Sequence, residues 1–189
     1  SVADQSLATA FDASITVSSL ASSQTLEFTG FSSKSAAINK GTITIDFGSW
    51  SGSNFTENET KTSQSVVISD SNNTLSGLAT SLSAISGVNA TVIDKGDGTF
   101  SLIVNSDTGA NNALRLGVTE DENDPGLVSF DTSSTNASKQ VVAAQDASMT
   151  INGVQVTRAS NTITDLIDGY EFKLNTTTTS AASVIASID

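Results

Sequence analysis

The chain has 189 residues, of which 37% are hydrophobic, a share that is large enough to bury a core and argues against disorder. It contains no Cys and no His, which excludes disulfides, Cys-ligated metals and histidine-based catalysis, so we predict no catalytic residues and no metal or cofactor site. With 20 acidic against 8 basic residues the net charge is −12, which disfavours nucleic acid and anionic membrane surfaces as partners, and the sequence has no run of about 18 apolar residues that could insert into a bilayer.

Alternating apolar and polar residues predict the first strands. Residues 14–18 and 25–29 alternate with a period of two and are separated by a short connection. Residues 41–47 alternate again, and residues 64–69 are their predicted partner. Between these two, residues 48–61 are rich in Gly, Ser, Asn and Thr and have no period, so we predict a long hairpin loop.

One segment has a clear helical pattern, and it covers residues 74–86. Its apolar residues are spaced three and four apart, which places them on one face of a helix. Asn73 and Thr74 are candidate N-caps, and Gly87 follows the end of the pattern. We therefore predict an amphipathic helix here.

Two tight hairpins follow from turn dipeptides with glycine. Residues 88–93 and 99–104 flank a segment with Asp97-Gly98, and the strands within residues 147–157 flank Asn152-Gly153. Such dipeptides supply the positive φ angles that a short hairpin needs. Because a strand and no helix follows Gly98, we interpret this glycine-rich segment as a turn and not as a phosphate-binding loop.

An acidic cluster follows the predicted strand at residues 113–118. It consists of Glu120, Asp121, Glu122 and Asp124. Carboxylates are ligands for hard cations such as Ca²⁺, but these residues lack the alternate spacing and the distal bidentate Glu of a calcium loop. A solvated loop is the favoured interpretation, and no pair of carboxylates is spaced in a way that nominates a glycosidase.

An internal similarity indicates two related small domains. Residues 73–78 resemble residues 161–166, and each copy follows a hairpin and precedes a strand, so we predict a capped helical turn in both. The two earliest strands lack other local partners, and we predict that they pair with the strands around Val154 and Phe172. The predicted fold is mainly β with one or two short helices, a β-rich α+β class, with one small β domain inserted in another.

Two aromatic residues in the predicted long loop form a candidate partner-binding site. Trp50 is the only Trp in the chain, and Phe55 follows it within the same polar segment. Exposed aromatic side chains are frequently the anchors of an interface. They could bind a protein or a carbohydrate, or they could fold back onto the hairpin, and the sequence leaves both alternatives open.

The tail of the chain resembles a known family. Residues 145–174, which read QDASMTINGVQVTRASNTITDLIDGYEFKL, are similar to the bacterial flagellar filament cap proteins, also called flagellar hook-associated protein 2. Residues 15–24 and 78–108 resemble the same family in the same order. The resemblance implies the outer D2 and D3 domains of the cap, with D3 inserted: residues 1–38 and 140–189 would form D2, and residues 39–139 would form D3 with its one helix.

The resemblance also implies a function without covalent chemistry. Members of the family form a ring-shaped homo-oligomer outside the cell, at the tip of the growing flagellum, where they retain exported flagellin and promote its polymerisation. Flagellin and further copies of the chain are therefore the expected partners. Two alternatives stay open: an insert domain of a flagellin or of a hook-filament junction protein, and an adhesive module that binds host glycan or mucin.

Overall fold

The computed structural model describes residues 1–186, in which fourteen strands are joined by one α-helix and two short 3₁₀ helices. In chain order they are β1 Phe11–Ser19, β2 Ser23–Phe31, β3 Gly41–Ser51, β4 Asn54–Glu57, β5 Gln64–Ile68, α1 Leu75–Ser83, β6 Val88–Asp94, β7 Phe100–Thr108, a 3₁₀ helix Ala110–Asn112, β8 Ala113–Glu120, a 3₁₀ helix Leu127–Phe130, β9 Gln140–Val142, β10 Ala147–Ile151, β11 Val154–Arg158, β12 Thr162–Ile163, β13 Phe172–Lys173 and β14 Ala182–Ala186. The fold is mainly β, as the sequence predicts. Within the described residues, no helix is both long and apolar enough to cross a membrane.

The chain forms two compact units, and one of them is discontinuous in sequence. The discontinuous unit contains Ser1–Ser22, Thr108–Ala110 and the chain from Gln145 onward. The inserted unit contains Ser23–Asp107 and Asn111–Ala144. Its limits differ from the predicted insertion of residues 39–139, because the chain enters it 16 residues earlier, at Ser23, and leaves it after Ala144.

Strand pairing explains why the inserted unit begins early. β2 lies between β7 and β9 in a four-stranded sheet with the order β6-β7-β2-β9, so it belongs with strands of the inserted unit. Ile38, which the sequence prediction places in the other domain, is buried in the same core as Leu26 and Phe28. The predicted pairing of the early strands with those around Val154 and Phe172 is wrong, because β11 pairs with β10 and β13 pairs with β12.

The discontinuous unit is built around β1. This strand lies between β10 and β14 in a four-stranded sheet whose order is β11-β10-β1-β14. Ala13, Ile15 and Val17 alternate along β1 on its buried face, where they pack in one cluster with Met149 and Ile163. The predicted hairpin of β10 and β11 is confirmed, and Asn152 and Gly153 have φ angles of 49° and 83° at its turn.

The inserted unit has two sheets and the helix. β3 pairs with β8 along one side and with β4 and β5 along the other, which confirms residues 64–69 as a partner of residues 41–47. Its largest fully buried side chains are Leu26, Phe28, Ile43, Ile45, Leu75, Leu78, Leu82, Leu102, Leu114, Leu116, Leu127 and Phe130.

Helix α1 forms where the periodicity predicts it. Leu75, Leu78 and Leu82 are fully buried, because spacings of three and four residues place them on one side of the helix. The Thr74 hydroxyl accepts a hydrogen bond from the Gly77 N–H at 3.1 Å and so caps the first turn. Gly87, with φ at 83°, redirects the chain into β6.

The second copy of the internal similarity is not helical. Residues 161–166 contain only the two-residue strand β12. Asn161 does not cap a helix, because its side-chain amide bonds the backbone of Ala21, accepting from the N–H at 2.7 Å and donating to the C=O at 2.9 Å. Asp165 forms an ion pair with Arg158. The prediction of a helical turn here is wrong because long-range contacts recruit its capping residue.

Candidate partner-binding hairpin

The aromatic residues singled out in the sequence lie on a regular hairpin and not in a long loop. β3 continues to Ser51 and β4 begins at Asn54, so the predicted loop of residues 48–61 contains a strand pair with a short turn. Trp50 and Phe55 are direct cross-strand partners in this pair. Gly52, with φ at 62°, lies in the turn. We call the segment from Gly48 to Glu57 the aromatic hairpin.

A close approach at Gly48 seats the ring of Phe55. A Cβ atom at position 48 would lie 2.1 Å from the carbonyl oxygen of Thr56 and 2.7 Å from the Phe55 ring. Glycine is therefore required by the space between the two strands, since it leaves room for the ring to lie against the β3 backbone.

The two aromatic rings contact each other and are held by further groups. The ring centroids of Trp50 and Phe55 are 4.9 Å apart with an interplanar angle of 59°. The Trp50 Nε1–H donates a hydrogen bond to the carbonyl oxygen of Leu114 at 3.0 Å. The Arg115 guanidinium lies over the other ring, with its Cζ atom 4.6 Å from the centroid of Phe55. Both aromatic residues are half-buried, so each keeps part of its surface accessible.

Two carboxylates fix the guanidinium of Arg115. Its Nη2 atom contacts Asp46 at 2.8 Å and also contacts Glu57 on β4. Partial burial by itself lowers the pKa of Arg115, but the hydrogen bonds with Asp46 and Glu57 outweigh it and raise this pKa above its usual value. One cation and two anions therefore flank the rings, and Ser63 donates a further hydrogen bond to Asp46.

Sequence reasoning found the two rings but missed the charged groups around them. Asp46 and Arg115 are separated by 69 residues, yet they are direct cross-strand partners in the β3–β8 pair. Opposite charges at such positions stabilise a sheet, but the positions can be recognised only after the register of the two strands is known. The arrangement offers a pre-formed aromatic surface with fixed charges beside it.

Two carboxylates of the acidic cluster at the end of β8 accept hydrogen bonds from neighbouring segments of the chain. Asp124 accepts hydrogen bonds from the side chain of Asn39 at 2.8 Å and from the N–H of Lys40 at 3.0 Å. Glu120 accepts from the N–H groups of Gly126 and Val128 at 2.6 and 2.8 Å, and so caps the second 3₁₀ helix. In the part of the chain that the structure describes, no three acidic residues converge as a possible metal site.

These contacts predict a pH dependence of stability. Hydrogen bonds from the N–H groups of Val128 and Gly126 lower the pKa of Glu120, and the hydrogen bond from Asn39 lowers that of Asp124. A lowered pKa in the folded state adds stability that is present above the unfolded-state pKa and is lost as the pH falls. The unfolding free energy should therefore decrease from about pH 5 to about pH 2.

Urea unfolding at several pH values tests this dependence. Glu120→Gln should flatten the slope of unfolding free energy against pH, because this variant cannot release a proton. Glu122→Gln, at an exposed neighbouring position, is the matched control. Equal slopes for both variants would contradict the capping role of Glu120.

These features define a class of protein. The chain is a β-rich module of two units, one inserted in the sequence of the other, with a structured aromatic hairpin on the inserted unit.

Comparisons with known proteins then identify the family. The family model described as flagellar hook-associated protein 2 C-terminus matches residues 144–189. The structure of the D2-D3 domains of the flagellar cap protein FliD from Escherichia coli matches with a TM-score of 0.79 and 32% identity, over 100% of this chain and 92% of that one. The D2-D3 domains from Serratia marcescens match with a TM-score of 0.80 and 26% identity, over 98% of both chains. The chain belongs to the flagellar cap protein family.

The similarity covers a limited part of the full-length relatives. The flagellar hook-associated protein 2 of Escherichia coli O157:H7 is 41% identical over 101 residues, which are 52% of this chain and 22% of that protein. The matched stretch thus spans about a fifth of this curated relative. Family membership sets aside the alternative of a flagellin or junction-protein insert.

Proposed function

We propose that the chain forms the outer part of a flagellar filament cap, which retains exported flagellin and promotes its polymerisation at the extracellular tip of the filament. One observation carries this proposal: sequence and fold both match the D2-D3 domains of a flagellar cap protein along the whole chain. The work of such a part is binding and positioning, without a chemical step. In the full-length protein the chain would act within a homo-oligomer.

The two units are assigned to domains within the same proposal. The discontinuous unit would be D2 and the inserted unit would be D3. The resemblance to the family implies that D3 is inserted in D2 and contains the one helix, and α1 lies in the inserted unit. The limits would be those of the structure, with D3 from Ser23 to Ala144 except for Thr108–Ala110.

Deletion of the gene tests the proposed function. The deletion strain should release monomeric flagellin into the medium and grow few filaments, and the intact gene supplied in trans should restore them. Quantifying flagellin in culture supernatants and counting filaments by electron microscopy give the readouts. Normal filaments in the deletion strain would refute the cap function.

The aromatic hairpin supports a second candidate function, adhesion to host glycan or mucin. Its two adjoining rings are half-exposed, and sugar rings commonly stack on such aromatic surfaces. Trp50→Ala with Phe55→Ala should reduce attachment of the protein to immobilised mucin. Val67→Ala, at a valine that is 65% exposed in the same unit, is the control. Unchanged attachment by the double variant would remove the hairpin from this role.

A further inference from the structure

A groove in the inserted unit lies between helix α1 and the edge strand β6. β6 is the outermost strand in the order β6-β7-β2-β9, so one of its sides has no neighbouring strand. The groove is lined by Lys34, Ser76 and Thr80 on one side and by Ala90 and Val92 on the other. Unpaired strand edges are places where another chain can add a strand.

One position along this edge is already closed by a side chain. The Ser83 hydroxyl of α1 donates to the carbonyl oxygen of Ala90 at 3.0 Å and accepts from its N–H at 2.9 Å. The backbone of Ala90 therefore points away from β7. The backbone N–H and C=O groups alternate in direction along an antiparallel strand. Those of Thr91 therefore point towards β7, and those of Val92 point outward again, into the groove.

Another strand edge of this unit, that of β8, is closed more completely. Along β8, the N–H groups of Leu114, Leu116 and Val118 donate to side-chain oxygens of Gln24, Thr132 and Asp131, respectively, at 2.7 to 3.0 Å. Side chains there occupy the positions that an added strand would use. Strand β6 has this protection at Ala90, and the edge opens at Val92.

Lys34, which lines the groove, differs from the other cationic side chains in its contacts. Six of the eight Lys and Arg side chains form ion pairs with carboxylates, and Lys139 lies over the ring of Phe28. Within residues 1–186, Lys34 is the remaining cation, and its exposed side chain has no such contact. On a chain of net charge −12, Lys34 is an accessible positive charge that an anionic group of a partner could pair with.

Local contacts hold Lys34 beside the start of the helix. Its carbonyl oxygen accepts hydrogen bonds from the N–H and the hydroxyl of Ser76, each at 2.9 Å. The chain turns back after α1, so Ser76 lies near the Val92 end of the groove and Ser83 near Ala90. From Ser76 to Ser83 the helix rises about 10 Å, the length of about three extended residues.

We propose that this groove binds an extended segment of another protein, which adds as a short strand to β6 at Val92 and places a carboxylate beside Lys34. The small side chains of Ala79, Ala84 and Ala90 leave space for side chains of the bound segment. Asp94, two residues beyond Val92 on the same strand, disfavours a second carboxylate at that end. This binding site goes beyond the proposed cap function and does not depend on it.

Two peptides test the proposal by nuclear magnetic resonance of the ¹⁵N-labelled chain. The probe is acetyl-Thr-Val-Asp-Val-Thr-amide, and its control carries Asn in place of Asp. The acidic peptide should shift the amide signals around Lys34 and Val92 in a saturable way. It should also slow hydrogen exchange of the Val92 amide without changing that of Thr91, because the Val92 N–H points into the groove and the Thr91 N–H points towards β7.

Variants separate the charge from the strand edge. Lys34→Ala should weaken binding of the acidic peptide about fivefold, as expected for one exposed charge pair at low salt, and should leave the Asn peptide unaffected. Lys173→Ala is the control at another exposed lysine. An absence of shifts at millimolar peptide, shifts located elsewhere, or equal affinity for both peptides would overturn the proposal.

Discussion

Replacing Gln24 by Ala should lower the unfolding free energy of the inserted unit by about 3 kcal/mol, because a buried hydrogen-bond donor loses its acceptor and a cavity remains. Gln24 is fully buried at the edge of β8. Its Oε1 accepts from the Leu114 N–H at 2.7 Å, and its Nε2 donates to the side-chain oxygen of Gln140 at 2.9 Å. Its own N–H donates to the Ser106 hydroxyl at 3.0 Å, which fixes the backbone from which the side chain extends.

Fluorescence of Trp50 measures this loss in the correct unit. It is the only Trp in the chain and lies in the inserted unit, so its signal in a urea titration follows that unit. Gln64→Ala, at an exposed glutamine of β5 in the same unit, is the matched control and should change stability by less than about 0.5 kcal/mol. If both variants unfold at the same urea concentration, Gln24 does not stabilise the β8 edge as described.

Gln24 also illustrates what a sequence can and cannot reveal. Within the segment after β1 it is an ordinary polar residue, and its burial is visible only when β2 and β8 are placed together. The contact joins residues 90 positions apart, and no local pattern encodes that distance. For the same reason, the sequence alone does not show that Asp46 and Arg115 are partners, since they are 69 residues apart.

Local signals were sufficient for other elements. The spacing of Leu75, Leu78 and Leu82 with Thr74 before them predicts α1, since amphipathic periodicity and capping act within one segment. Asn152-Gly153 predicts the β10–β11 hairpin for the same reason. The β3–β4 pair was missed because its residues are mainly Gly, Ser, Asn and Thr, whose composition resembles a loop, and cross-strand packing decides its structure.

Gly48→Ala should destabilise the inserted unit by about 2 to 3 kcal/mol, because the added Cβ overlaps backbone that cannot move without separating β3 from β4. The added Cβ would lie 2.1 Å from the Thr56 carbonyl oxygen and 2.7 Å from the Phe55 ring, so it meets a close contact with both. Loss of this contact would also release Trp50, whose fluorescence should shift to longer wavelength in the folded state.

Gly117→Ala supplies a control in the adjacent strand. Gly117 lies in β8, and a Cβ atom there would meet no heavy atom within 4 Å. Without a clash, the substitution should be neutral or stabilise the chain by up to about 1 kcal/mol, since alanine restricts the unfolded state. Both variants make the same chemical change in a strand, so a difference between them isolates the close approach at position 48. Equal stability of the two variants would mean that the aromatic hairpin tolerates separation of its strands, and that its rings are not held in the arrangement on which the adhesion proposal depends.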